Sequence, residues 1–306
     1  MRNTHPAAAC LLRAFLLPTL ITAPLAAQPV SQAAPPEAAI FQSSVNDVLL
    51  DISVTDDGVP VGGLEANNFT IEDEGKQVER IKVEPGSTAI SIALVSDFSG
   101  SMRSRQTLLS SGVRRLTNRL QVTDDARMIL FNEFPRLSPK EPIEWAGELL
   151  VETPEGQTAL YDAVILATRL LEHARLERRV AIVLSDGEDT ASDVKRDDML
   201  RALEQSGTLV YAIGLFKPGE KYTDAGTLRA MADRSGGLAY FNNDASQLGE
   251  FFNEIMTDLR SRYVVVFPAS PAKDASGIHE LKITVRDDEG HKLKARSRMR
   301  YVNSEE

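Results

Sequence analysis

The sequence predicts an α/β protein whose doubly wound, mostly parallel sheet is inserted between N- and C-terminal β segments. Near-continuous apolar runs, typical of strands buried on both faces, occur at residues 90–95, 126–131, 180–184 and 209–215. Apolar residues at helical spacing occur at residues 109–120, 160–171 and 248–259. Strands that alternate with helices favour a parallel sheet covered on both faces. We therefore predict this domain over residues 88–262.

The two ends of the chain have a different pattern, in which apolar and polar residues alternate as in half-buried strands. Residues 48–55 and 281–286 both show it, and each is followed by an acidic turn that contains glycine. Each end has only about forty residues, too few to bury a stable core alone. We therefore expect residues 41–87 and 263–306 to pair into one small β-sandwich-like domain. Separate packing of each end on the α/β domain is the alternative.

The N-terminus has the layout of a secretory signal peptide. Residues 1–27 contain Arg2 and Arg13, an apolar stretch and small residues before Gln28, and residues 28–40 form a Pro- and Ala-rich linker. The apolar stretch is too short for a spanning helix, and no other long apolar run follows. The sequence therefore predicts export to the periplasm or the medium, without a transmembrane segment in the mature chain. Cys10, the only cysteine, lies inside the signal.

The composition excludes several classes of function. The net charge of −10 argues against nucleic-acid binding, which requires clustered Lys and Arg. Without Cys10 the mature chain has no thiolate for catalysis or metal binding. None of the four histidines lies near the polar loops described next, so a serine there would lack its usual base. We therefore predict that the protein is not an enzyme.

Three loops carry oxygen ligands where predicted strands end or helices begin. Asp97, Ser99 and Ser101 follow the first α/β strand, Thr158 precedes a helix, and Asp186 follows the strand at residues 180–184. Ligands of open α/β sheets bind beyond the carboxyl ends of the strands, so these loops should meet at one edge.

The residue types at these five positions indicate a hard divalent cation. Carboxylate and hydroxyl oxygens suit Mg²⁺ or Mn²⁺, with Ca²⁺ as an alternative, better than zinc or copper. Only Asp97 and Asp186 contribute negative charge, so the ion would be held and still be able to accept an outside oxygen. The site therefore favours the capture of a carboxylate from a protein partner.

These residues resemble the von Willebrand factor type A domain with its metal-ion-dependent adhesion site. Asp97, Ser99 and Ser101 match the family's Asp-x-Ser-x-Ser element, and Thr158 and Asp186 match its separate threonine and aspartate. The resemblance covers about residues 88–262 and implies an adhesion or protein-binding module. It also implies that both serines bind the metal directly, and the other three residues directly or through water. Gln157 departs from the pattern, because a glycine often precedes the threonine.

Other interpretations of the same residues stay open. Asp97 and the serines are also good helix-capping residues, and Asp186-Gly187 also suits a turn. Asp162 either orients the metal loop or is an ordinary acidic residue in the first turn of a helix. A structural or assembly role in the cell envelope, with the metal at a subunit contact, is the main alternative function. A magnesium-dependent hydrolase, with Asp97 as nucleophile, is a third.

The last predicted strand carries five cations at alternate positions, which would place them on one face. They are Lys292, Lys294, Arg296, Arg298 and Arg300. Such a face is either a solvated edge that deters pairing or a contact surface for an acidic envelope polymer.

Overall fold

A nine-stranded and a six-stranded sheet contain all the strands of the part of the chain that the structure describes. This computed structural model describes residues 47–86, 89–216, 225–242, 247–271, 274 and 276–303, all within one compact unit, Ala38–Glu306. The predicted signal peptide (1–27) and linker (28–40) lie outside the described residues.

The elements follow the predicted order of β segment, α/β segment and β segment. The N-terminal strands are β1 (Asp47–Asp56), β2 (Val59–Pro60), β3 (Phe69–Asp73), β4 (Lys76–Gln77) and β5 (Lys82–Pro85). The central elements are β6 (Ser91–Asp97), α1 (Gln106–Thr117), β7 (Asp125–Phe131), β8 (Arg136–Leu137), α2 (Pro142–Val151), α3 (Leu160–Glu172), β9 (Arg179–Ser185), α4 (Arg196–Ser206), β10 (Leu209–Leu215), α5 (Ala225–Ser235), β11 (Ala239–Asn242) and α6 (Leu248–Ser261). The C-terminal strands are β12 (Tyr263–Pro268), β13 (Ile278–Arg286), β14 (Lys292–Arg296) and β15 (Arg300–Val302).

The six-stranded sheet has the order β11-β10-β9-β6-β7-β8 and is parallel except for β8, which pairs antiparallel with β7. All seven residues of β6 are buried, because helices cover both faces of the sheet. Helices α1, α2 and α6 pack on one face, and α3, α4 and α5 pack on the other. The predicted doubly wound α/β fold is confirmed, and β6 lies in its interior with its carboxyl end at the sheet edge.

The nine-stranded sheet joins the two ends of the chain. Strand β1 pairs antiparallel with β12 and β14, and β3 pairs antiparallel with β13. The sheet curls on itself, since the rings of Phe69 on β3 and Tyr263 on β12 lie 5.3 Å apart although three strands separate β3 from β12. Its inward side chains form one apolar core. The sandwich-like packing therefore comes from one curled sheet, while the exact domain boundaries stay a prediction.

Buried arginines connect the curled sheet to the α/β elements. Arg262, only 1% exposed, donates hydrogen bonds to Asp258 Oδ2 (3.0 Å) at the end of α6 and to Asp51 O (3.1 Å) in β1. Arg178, before β9, forms an ion pair with Asp51 and donates to Leu259 O (3.2 Å). A buried guanidinium is tolerated only where carboxylates and carbonyls satisfy its donors. These contacts therefore tie the end of α6 to strand β1.

The predicted five-cation face is wrong. Arg296 turns inward and donates to Asp258 Oδ1 (2.7 Å), and Arg298 donates to Leu49 O (2.9 Å). The strand is also interrupted at residues 297–299, between β14 and β15. The buried carboxylate and carbonyl attract two of the five cations, which an alternating pattern alone does not reveal. A continuous five-cation surface for an acidic polymer is therefore not present in the described part of the chain.

We expect Gly237→Ala to destabilise the protein strongly. A Cβ at Gly237 would lie 1.8 Å from Val210 O in β10, and a backbone atom of a central strand cannot move aside cheaply. Overpacking of this kind costs about 1–3 kcal/mol or more. Urea unfolding measures the free energy of unfolding. The matched control is Gly147→Ala in α2, where nothing lies within 4 Å of the added Cβ and a gain of about 0.5–1 kcal/mol is expected. Equal stabilities of the two variants would contradict the packing argument.

Candidate metal centre

Asp97 is the last residue of β6, and both of its carboxylate oxygens are held in place. Ser99 N donates a hydrogen bond to Oδ1 (2.9 Å), and Ser185 Oγ, at the end of β9, donates one to Oδ2 (2.8 Å). The side chain is fully buried, because β6 is a central strand. Asp97 therefore lies at the carboxyl edge of the sheet in a single defined orientation.

Ser99 and Ser101 lie together just beyond Asp97. The chain leaves β6 and enters a short 3-10 helix, Gly100–Arg105, with Ser99 as its N-cap. Ser99 is buried, Ser101 is half-buried, and their hydroxyl oxygens are 3.1 Å apart. The Ser99 side chain makes no capping hydrogen bond. The simple helix-cap interpretation is therefore wrong for Ser99, and its hydroxyl instead faces that of Ser101.

Thr158 lies before α3 with its backbone fully engaged. Its N–H donates to Thr190 Oγ1 (3.0 Å), and its carbonyl accepts from Thr190 N (2.8 Å) and Ala191 N (3.0 Å). The residue is 5% exposed, and within the described part of the chain its hydroxyl forms no hydrogen bond. These backbone hydrogen bonds fix Thr158 and leave its Oγ1 available as an oxygen ligand for a metal ion.

Asp186 lies in the loop after β9, close enough to Asp97 for the two carboxylates to interact. Burial, and to a smaller extent the negative charge of Asp186, raise the pKa of Asp97 to about 6, against the lowering effect of the hydrogen bonds from Ser99 and Ser185. Asp186 is half-buried, and its Oδ1 accepts a hydrogen bond from Glu188 N (3.3 Å). Two neighbouring carboxylates in a poorly solvated position are the arrangement that a cation stabilises.

Backbone hydrogen bonds join the three loops at this edge. Gly100 N donates to Gly156 O (3.1 Å), and Glu155 N donates to Phe98 O (3.1 Å), so the Asp97 loop and the Thr158 loop are in contact. Gln157, the departure from the family pattern, donates its N–H to Glu133 Oε1 (3.3 Å). The three loops therefore meet at one edge of the sheet, as the sequence predicted.

Four further residues hold the loops in place. Asp162 accepts hydrogen bonds from Asp193 N (3.0 Å) and Val194 N (3.1 Å), which supports its interpretation as a loop-orienting residue. No sequence pattern indicated a role for Ser185, Thr190 or Ser192. Ser192 Oγ accepts from Asp162 N (3.1 Å). Only the nearness of these three residues to Asp186 in the sequence could have indicated them. The loop that each hydroxyl contacts depends on the tertiary fold.

The donor set fits a hard divalent cation. It combines two carboxylates, two hydroxyls 3.1 Å apart and the unengaged hydroxyl of Thr158. Magnesium and calcium prefer oxygen ligands of this kind. Among the described residues no group of three or more His, Cys, Asp or Glu could hold a metal. A metal bound at this edge would therefore need the hydroxyl oxygens as well as the two carboxylates.

Comparison with known proteins gives one family and a set of similar folds. The model of the von Willebrand factor type A domain matches residues 91–254, more than half of the chain. No curated protein matches the sequence.

Several solved structures are similar. A von Willebrand factor type A protein from Catenulispora acidiphila is 13% identical, with 78% of this chain and 75% of that chain covered and a TM-score of 0.48. The hypothetical protein BatB from Bacteroides thetaiotaomicron is 20% identical, with 56% of this chain and 98% of that chain covered and a TM-score of 0.46. Proximal thread matrix protein 1 from the mussel byssus, described with a zinc-occupied MIDAS motif, is 17% identical, with 63% of this chain and 50% of that chain covered and a TM-score of 0.49.

Proposed function

The chain belongs to the von Willebrand factor type A domain family, and we propose that it is an exported, non-enzymatic binding module. It captures an acidic residue of a protein partner through a divalent cation, Mg²⁺ in the first instance, at Asp97, Ser99, Ser101, Thr158 and Asp186. The observation that carries the proposal is the meeting of the three loops at one sheet edge, with both oxygens of Asp97 oriented and the hydroxyl of Thr158 unengaged.

Each residue has a definite part in this proposal. The hydroxyls of Ser99, Ser101 and Thr158 bind the ion without adding charge, and the two carboxylates neutralise it. A bound Mg²⁺ supplies an open coordination position that a partner carboxylate completes. Ser185 keeps Asp97 in the orientation that presents its oxygens to the ion.

The positions of the histidines support the proposal of a non-enzymatic role. His173 follows the C-terminal end of α3, whereas Thr158 precedes the N-terminal end of the same helix. His279 is buried in the curled sheet, with its Nδ1 3.0 Å from Asp73 Oδ1, and His291 lies just before β14. In the described part of the chain, neither serine of the site therefore has an imidazole base beside it. Export rests on residues 1–27, and no described helix has the length and apolar character needed to cross a membrane.

A metal-dependent pulldown tests the proposal. The immobilised protein is incubated with envelope proteins in Mg²⁺, washed, and eluted with chelator, beside an Asp97→Ala column. We expect proteins that the wild type retains only with Mg²⁺ and that the variant does not retain. Equal retention in the presence of chelator would contradict the proposal. Light scattering with and without chelator separates the assembly alternative, because metal-dependent self-association would favour it.

Ser185→Ala is expected to weaken Mg²⁺ binding by about 10–100-fold, the usual effect of removing a residue that orients a metal ligand. The variant removes the hydrogen bond that Ser185 Oγ donates to Asp97 Oδ2 and leaves the five candidate metal ligands in place. Calorimetric titration with MgCl₂ measures the change. Ser111→Ala, on the exposed surface of α1, is the matched control and should bind as the wild type does. An unchanged affinity in Ser185→Ala would exclude this orienting role.

A further inference from the structure

Helix α2 has a second apolar face, which the rest of the described chain leaves exposed. Among the described helices, the exposed large apolar side chains all lie on this one: Ile143 (83% exposed), Leu150 (49%) and Val151 (84%). Trp145 and Leu149 of the same helix are buried against α1 and the sheet. Single apolar residues are common on protein surfaces, but several on one face of a helix indicate a surface that packs against something.

The exposed face of α2 is nearly symmetrical about Gly147. Residues 143, 147, 150 and 151 follow the spacing of one helical stripe, and a Cβ added at Gly147 would have nothing within 4 Å. Ile143 and Val151 lie four residues on either side of Gly147, about 6 Å along the helix axis in each direction. If two copies of α2 pack antiparallel about this point, Ile143 of one protomer therefore meets the partner's Val151, and the contact occurs twice.

Opposite charges lie at the two ends of this face. Glu141 is the N-cap of α2, and Arg103 donates from Nε to Pro154 O (3.2 Å) just beyond the C-terminal end of the helix. Both side chains are exposed, and within the described part of the chain neither forms an ion pair. Antiparallel packing brings Arg103 of one protomer toward the partner's Glu141, whereas parallel packing would bring like charges together. The charges therefore favour a second copy in the antiparallel orientation.

The other charges beside the face are compensated within one protomer. Lys140 Nζ lies 3.6 Å from Glu144 Oε1, and Arg136 Nη2 lies 2.6 Å from Glu152 Oε2. A second copy therefore meets an apolar stripe without an excess of charge of one sign along its side.

We propose that two copies of this chain form a closed dimer through the exposed faces of their α2 helices, packed antiparallel about Gly147. Two-fold symmetry uses the face completely in one pair, so the assembly does not grow further. The face contains none of the five candidate metal ligands, and dimerisation is therefore independent of a divalent cation. It is also smaller than a standard interface of about 20–30 residues a side, so we expect a weak, reversible dimer.

Sedimentation equilibrium of the full chain over a series of protein concentrations tests the dimer. We expect a monomer–dimer equilibrium with the same dissociation constant in Mg²⁺ and in chelator. A monomer at every concentration would overturn the proposal, and so would assemblies that grow beyond two copies. Dimers that disappear with chelator would also overturn it and would point to a contact through the metal centre instead.

Two single variants locate the contact on α2. Ile143→Glu and Val151→Lys each place a charge on the exposed face, and each charge suits the helix dipole at its own end of α2. We expect either variant to weaken dimerisation by about tenfold or more, as loss of a central interface residue does. Val59→Lys, at an exposed valine on β2, is the matched control and should dimerise as the wild type does. Unchanged dimerisation of Ile143→Glu and Val151→Lys would overturn the assignment to α2.

An equal mixture of the two variants tests the antiparallel orientation. In a mixed dimer the introduced glutamate of one variant meets the introduced lysine of the other, and the second contact keeps its native isoleucine and valine. We expect the mixture to dimerise more strongly than either variant alone. If the mixture stayed as monomeric as its components, the antiparallel arrangement would be wrong.

Discussion

Asp97→Ala is expected to lower the affinity for Mg²⁺ by about 100-fold or more, because loss of a ligand exceeds the 10–100-fold effect of losing a residue that orients one. Asp97 is the buried one of the two carboxylates, and its oxygens already accept hydrogen bonds from Ser99 and Ser185 that fix their direction. Its removal takes away half of the negative charge that the proposed site offers. Calorimetric titration with MgCl₂ measures the loss.

The control for this variant is Asp193→Ala, which removes an exposed carboxylate from the loop that Asp162 holds near the same edge. This control should bind Mg²⁺ as the wild type does. Ser101→Ala, at a half-buried hydroxyl, should also weaken Mg²⁺ binding. This second variant tests the site without a substitution at the buried Asp97, where a folding defect would also reduce binding. Circular dichroism establishes that each variant is folded. If Asp97→Ala bound Mg²⁺ like the wild type, the proposed centre would be wrong.

Asp258→Ala is expected to lower the free energy of unfolding by about 3–5 kcal/mol, the cost of leaving a buried charge without its partner. Asp258 accepts hydrogen bonds from Arg262 (3.0 Å), Arg296 (2.7 Å) and Ser53 Oγ (2.9 Å). Without the carboxylate, the almost fully buried guanidinium of Arg262 keeps only carbonyl and hydroxyl partners. Urea unfolding measures the change, and Asp197→Ala on the exposed surface of α4 should stay within about 0.5 kcal/mol of the wild type.

The same carboxylate predicts how stability changes with acid. Burial would raise the pKa of Asp258, but Arg262 and Arg296 outweigh it and lower that pKa to about 2, below its ordinary value of 3.8. The stabilisation is therefore present above pH 4 and is lost as the pH falls from about 4 to about 2, by about 2 kcal/mol in total. Asp258→Ala should lack this part of the pH dependence. Identical pH profiles for the variant and the wild type would contradict the assignment.

The sequence was sufficient for the α/β domain because its signals are local. The runs that became β6, β7, β9 and β10 are apolar without alternation, as strands covered on both faces must be. Helices α1, α3 and α6 showed full apolar stripes. Helix α4 was not predicted, because acidic and basic residues surround its few buried side chains, Met199, Leu200 and Leu203.

The candidate metal ligands could be predicted from the sequence, but the residues that hold them in place could not. Asp97, Ser99 and Asp186 stand directly after apolar runs, so the carboxyl-edge rule places them together. Ser185 and Asp162 act through bonds to loops 88 and about 31 residues away in the chain, and no local pattern identifies those partners.

The fold class could therefore be predicted from the sequence alone, as could the pairing of the two chain ends, although separate packing of each end stayed an alternative, and the candidate oxygen ligands at one sheet edge. Which cations face inward, and how the nine-stranded sheet curls, followed only from the tertiary structure. This difference follows from the distance along the chain between the residues that interact. Apolar periodicity reports the burial of a segment from that segment alone, whereas the partner of a charged side chain such as Arg296 depends on groups brought close only by the folded chain.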